Sequence, residues 1–308
     1  MKIFSNSVKR TALLLLIILA GCSSMREVDT LYKTGDYEAV IAECERILSA
    51  DSTNANAHFL MGRSLHKTGK IEEALHHLEK AKQLKPDDGE FTDALIDIKL
   101  AYSDSLAARD NKYKALQQLK SAVQLDSTSE KTRWKIAGFY ERENMLDNAL
   151  VHLKKLNAAD DIERIDARIA EAEDLVQEGI EDFKKYAYRS ANNKFTKAVE
   201  INSDNKDAGY YQTLSNGVLL YNVGDKSSLW DAIEAFGKAM SLRWDSGEPH
   251  FYMALAYEKK DRREFDNAIA EYKLAIEKEP DGYFVPQSRK KIKELTELKK
   301  RLEDFWGK

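Results

Sequence analysis

The chain has 308 residues, 32% charged and 43% hydrophobic, with four prolines, fourteen glycines and a net charge of −4. That composition excludes a long disordered or collagen-like chain and suits a mostly helical protein with a sizeable core. Without Lys2, Lys9 and Arg10 the charge falls to −7, which leaves no general basic surface for phosphate and makes nucleic acid an unexpected partner.

Residues 1–21 read as a targeting segment. Lys2, Lys9 and Arg10 precede an apolar run from Ala12 to Ala20 that is too short to span a bilayer. The run ends in Leu19-Ala20-Gly21-Cys22, which resembles the lipobox of bacterial lipoproteins. The resemblance implies cleavage before Cys22, acylation of that residue and anchoring through the N-terminal lipid. Ser23 follows in place of the aspartate that, in many members of that family, favours inner-membrane retention. The expected address is therefore the periplasmic face of the outer membrane.

From there one helical pattern recurs. Small, large and small residues stand at i, i+4 and i+7 in Ala74-Leu78-Ala81, Ala115-Leu119-Ala122, Ala191-Phe195-Ala198, Ala232-Phe236-Ala239 and Ala268-Tyr272-Ala275. This spacing puts each trio on one helix face, where the small residues admit a neighbouring helix and the large one fills the space beside it. Looser copies begin at Val40, with Cys44 in the large position, and at Ala149, with Leu156 where alanine is expected. The first positions (Val40, Ala74, Ala115, Ala149, Ala191, Ala232 and Ala268) are spaced 34, 41, 34, 42, 41 and 36 residues apart. Cys44 reads as a buried apolar thiol, since no histidine lies near it in sequence.

The 34-residue base period resembles the tetratricopeptide repeat family, in which two antiparallel helices recur. The second repeat carries the match best, with Gly62 in its first helix, a turn at Lys67-Thr68-Gly69-Lys70, and Pro86 as the stop. Gly35 and Gly69 occupy positions just past a helix end that favour left-handed backbone. Gly62, Gly179, Gly217, Ala137 and Ala254 are the small residues of first helices, where bulk would push a pair apart. Residues 89–108 and 162–186 read as lengthened helices, and Asp225-Lys226-Ser227-Ser228 as a lengthened turn before Leu229-Trp230. After Pro286 comes a last helix with Ile292, Leu295, Leu298, Leu302 and Phe305 on one face. It is expected to close the final apolar surface of a stack. The expectation is an all-α right-handed superhelical solenoid of about seven helix pairs with a C-terminal capping helix. Its parts are a signal peptide at 1–21, a repeat solenoid at 22–282 and the cap at 283–308.

The resemblance implies that first helices line a concave groove that holds a protein or peptide partner. Carried over repeat by repeat, the groove positions are Phe59, Arg63, His66 and Lys67, then Trp134 and Arg142, Phe183, Tyr211 and Tyr221, and Phe251. Aromatic and arginine side chains are the usual anchors of such surfaces. The stripe of Phe59, Arg63 and Lys67 suits an acidic or carboxylate-bearing segment. Four of the histidines, His58, His66, His76 and His77, fall in the second repeat. None pairs at i, i+4 and no cysteine joins them, so they read as surface residues and not as metal ligands. No phosphate-binding glycine loop or nucleophile elbow occurs, so neither catalysis nor a cofactor is expected. The function expected is that of a lipid-anchored scaffold in envelope assembly. Glycan or lipid capture in the groove, or a metal-dependent enzyme around the second repeat, are the alternatives.

Overall fold

The computed structural model describes residues 25–260 and 265–306, so Cys22 and the targeting segment lie outside the described residues. Every regular element among the described residues is helical. None of these helices is long and apolar enough to cross a membrane. The chain divides into two compact units, the first ending at Phe139 and the second starting at Tyr140.

The first unit holds α1 (25–34), α2 (Tyr37–Ala50), α3 (Ala55–Lys67), α4 (Ile71–Leu84), α5 (Gly89–Ala108), α6 (Lys112–Leu125) and most of α7 (Glu130–Arg142). Short polar turns join them, and α2 packs on α3, α3 on α4, α4 on α5 and α5 on α6. The starts are set by side chains: Asp36, Asn54, Asp88 and Asn111 each accept a hydrogen bond from the backbone N–H three residues on, which satisfies a donor the helix cannot. The ends of first helices use left-handed backbone, at Gly35, Gly69 and Asp110. Val40, Cys44, Ala74, Leu78, Ala81, Ala115, Leu119 and Ala122 are all core residues, as their spacing predicts. Burial pushes the Cys44 thiol up to about 12, which makes it a poor nucleophile and an apolar filler.

The second unit continues with α8 (Leu146–Leu156), α9 (Ala159–Lys184), α10 (Tyr188–Ile201), α11 (Lys206–Val223), α12 (Lys226–Leu242), α13 (Glu248–Lys260), α14 (Phe265–Lys278) and α15 (Val285–Trp306). Its core is one continuous cluster built on Ala191, Phe195, Ala198, Ala232, Phe236, Ala239, Ala268, Tyr272 and Ala275. First-helix glycines explain how close the pairs come. A Cβ on Gly179 would lie 2.5 Å from the Phe195 ring, and one on Gly217 would lie 2.5 Å from the Phe236 ring.

Two expectations are corrected here. Asp225 to Ser228 do not lengthen a turn. Gly224 takes a left-handed φ of 79° and Asp225 caps the N–H groups of Ser227 and Ser228, so α12 starts at Lys226. The insertion becomes an extra helical turn. The last helix also closes the stack over only part of its length. Leu295 is buried and Ile292 packs against the core, whereas Leu298, Leu302 and Phe305 are exposed.

Candidate interaction faces

In the first unit, α1, α3 and α5 present one face. Arg63, near the middle of α3, holds its guanidinium 4.8 Å from the Tyr32 ring centroid and 5.3 Å from that of Phe59. Phe59 stacks on Phe91 at 4.4 Å. Arg63 also donates to Glu90 at 3.0 Å, and both side chains are exposed. A pair of that kind contributes little, typically under ~1 kcal/mol, so its arginine exchanges readily to another carboxylate. Tyr32, Phe59, Arg63, Glu90 and Phe91 line a recess of about 550 Å³. A smaller one, about 230 Å³, brings Arg63 together with His66 and Lys67. Burial, then the adjacent Lys67, lowers the pKa of His66, so the ring is held neutral.

The groove positions expected from sequence thus divide. Arg63 and Lys67 reach solvent, His66 is half-buried, Trp134 is 45% exposed and Arg142 is exposed. Phe59, Phe183 and Phe251 are each buried; Phe59 keeps one edge in the Arg63 recess, whereas Phe183 and Phe251 pack into the core. Their positions lie between neighbouring first helices, and a large ring there is driven into the seam. Phe183 meets Tyr211 and Tyr252 at 6.4 and 6.3 Å, and Phe251 stacks on Phe284 at 5.4 Å. Tyr211 is half-buried and stacks on Phe195 at 5.3 Å. Tyr221 is half-buried with its ring face already occupied by Lys259 at 4.6 Å. Tyr32 and Glu90 were not among the expected positions. The signal for them is their place in the first helices before and after Arg63.

The histidines of the second repeat are not all surface residues. His58 on α3 is buried, and its Nδ1 lies 2.9 Å from Nδ1 of His77 on α4. His58 Nε2 faces the Ser52 carbonyl at 3.2 Å, an acceptor only, so His58 donates there and its Nδ1 accepts from His77 Nδ1–H. Both rings are then neutral. Burial lowers both pKa values, that of His77 to about 4. Among the described residues no group of three metal-binding side chains is arranged to hold an ion.

The sign of the resulting pH effect follows. The unfolded histidines titrate near 6.5 and bind protons that the folded pair refuses. The pair's contribution is therefore complete above pH 6.5 and lost as pH falls toward 4. Half-burial and solvent screening hold the loss to the order of 1 kcal/mol. Urea unfolding at pH 7.5 and 5.0 checks this: the chain should lose that increment, and a His77→Gln variant should lose less.

The fold and these faces define a helical-pair repeat protein with exposed first-helix side chains. The tetratricopeptide repeat family model matches residues 31–95, which supports that family for the segment holding the Arg63 recess. The chain is similar to outer envelope protein 61 of Arabidopsis thaliana, 32% identical over 82 residues, which is 27% of this chain and only 15% of that protein. Among solved structures it is similar to the tetratricopeptide domain of P58(IPK), at 17% identity with 92% of this chain and 89% of that chain covered and a TM-score of 0.35. It is also similar to the TPR2AB domain of yeast Sti1 in a pHSP90 complex, at 14% identity with 90% and 98% covered and a TM-score of 0.36.

Proposed function

We propose that this chain is a non-catalytic scaffold that holds acidic segments of protein partners on the first-helix face of its first unit. The observation that carries this reading is the Arg63 guanidinium, seated over Tyr32 and Phe59 while its carboxylate partner Glu90 remains exposed. The rings position the cation without quenching it, and a partner carboxylate replaces Glu90 at little loss. Lys67 extends the positive stripe one helical turn further along the same face. The whole recess, apart from its edge at 25–30, falls inside the segment matched as a tetratricopeptide repeat.

The anchoring belongs to the same proposal. The lipobox-like Leu19-Ala20-Gly21-Cys22 supports a lipid on Cys22, which would keep the scaffold on the periplasmic face of the outer membrane for envelope assembly.

A peptide array of varied acidic content, probed with the full chain and an Arg63→Glu variant, tests the recess. Acidic peptides should be selected, and the variant should bind them at least about tenfold more weakly, as befits a central arginine anchor. In cells, Cys22→Ser should lose fatty-acid labelling and leave the membrane fraction. Unchanged peptide selection by Arg63→Glu overturns the recess, and persisting label overturns the anchor.

A further inference from the structure

The second unit holds a polar recess of about 520 Å³ lined by α10, α11 and α12. Asn192 and Thr196 come from α10, Gln212 and Asn216 from α11, and Glu234 and Lys238 from α12. The position of Asn216 explains the opening. In α3, α7 and α13 the residue before the small one of the first helix is Met61, Ile136 or Met253, and each is buried. In α9 it is Glu178, which pairs with Lys194 at 3.2 Å. In α11 it is Asn216, which is exposed and has no side-chain partner among the described residues.

The neighbouring amides are only partly engaged. Gln212 Nε2 donates to Thr196 Oγ1 at 3.1 Å, and its Oε1 accepts nothing among the described residues. The buried Ser215 hydroxyl donates to Asn192 Oδ1 at 2.9 Å. That contact orients the Asn192 amide and leaves its Nδ2 without an acceptor among the described residues. One recess thus offers a free acceptor, a free donor and a whole free amide. A peptide unit carries one donor and one acceptor, which an amide side chain matches in kind. The spacing also fits. Gln212 and Asn216 stand one turn apart, about 6 Å along the helix axis, and alternate peptide units of an extended chain recur every ~6.7 Å. Charge is a minor feature, because Glu234 is already matched by Lys238 at 2.6 Å on the exposed rim. No lining residue is aromatic, so a sugar ring or a base has no face to stack on.

We propose that this recess binds an extended segment of a protein partner through the segment's main chain. The occupant differs from that of the first unit, which is selected by its carboxylates. Here recognition runs through peptide groups, so it tolerates varied side chains and is insensitive to salt. The scaffold reading supplies only that the occupant is protein. The preference for peptide groups stands on the recess alone.

The test titrates the full chain with the uncharged peptide acetyl-Thr-Val-Thr-Val-Thr-amide, with its analogue methylated at every N–H, and with the neutral sugar cellotetraose, each followed by saturation-transfer NMR. The peptide should bind at least about fivefold more tightly than the methylated analogue, as loss of one or more hydrogen bonds requires. Asn216→Met installs the side chain that α13 carries at this position. It should abolish binding with the helical circular-dichroism signal intact, whereas Asn216→Gln keeps an amide and should retain binding. Affinity should stay constant between about 0.05 and about 0.5 M salt. Arg63→Glu should leave it unchanged, so failure in one unit is read separately from failure in the other. Absent peptide binding, equal binding of the methylated analogue, preference for the sugar, unaltered affinity in Asn216→Met, or affinity that falls with salt overturns the proposal.

Discussion

Gly179→Val lowers the stability of the second unit by at least about 3 kcal/mol. A Cβ alone on this residue would stand 2.5 to 2.9 Å from three atoms of the Phe195 ring. That ring is fully buried and stacked on Tyr211 with an interplanar angle of 18°, so it has nowhere to turn. Helices α9 and α10 must separate, and the core between them opens. Thermal unfolding should show a drop of roughly 6–12 °C in the transition of this unit. Pairing Gly179→Ala with Phe195→Leu then separates contact from propensity. Alanine improves helix propensity by up to about 1 kcal/mol over glycine, so a loss in Gly179→Ala reports the clash. If the ring causes it, the double variant recovers part of that loss and the two changes are not additive by about 1 kcal/mol. Strict additivity would mean that the close approach does not set the helix spacing.

The second large effect lies in a polar clasp. Asn202, at the end of α10, is fully buried. Its Oδ1 accepts from the Leu146 N–H and its Nδ2 donates to Asp147, both at 3.1 Å. Beside it the Ser203 N–H donates to the Asn144 carbonyl at 2.7 Å, and Asp204 accepts from the Asn148 N–H at 3.1 Å. The turn after α10 thus supplies the cap that Met145, the residue before α8, lacks in its own side chain. Asn202→Ala leaves the Leu146 N–H buried without an acceptor, at a loss of about 2–3 kcal/mol. Asn202→Asp keeps the acceptor but sets an anion against Asp147. Its loss should exceed that of alanine at pH 7 and shrink as pH falls and the new carboxyl is protonated. Denaturant melts of both variants at pH 7 and 5 check the order. Equal stability of Asn202→Ala and the unaltered chain would rule the clasp out as a stabilising contact.

Much of the architecture is legible in residue spacing because the interior of a helix pair is a local matter. Ala74, Leu78 and Ala81 are neighbours on one face of one helix, and no knowledge of the rest of the chain is needed to place them inward. The lengthened helix at 89–108 is read with its observed bounds for the same reason, since Asp88 caps its start. What fails is whatever depends on two helices at once. Phe59, Phe183 and Phe251 occupy face positions by register, and only the adjoining first helix decides that they are buried. His58 and His77 look unrelated at 19 residues apart until α3 and α4 are laid together. Tyr283 comes from the turn before α15, and no periodicity assigns its hydroxyl to Glu248. Arg63 and Lys67 were accessible to sequence reading because long charged side chains reach solvent wherever a helix face is open.

Cys44 is sealed inside the first unit, and once Cys22 is replaced by serine it is the chain's sole thiol. The natural sequence therefore contains a clock. A thiol reagent can reach this sulfur only when α2 lifts off its neighbours, so the labelling rate times the opening of that unit and is blind to the other. A ligand seated on Arg63 should slow the clock.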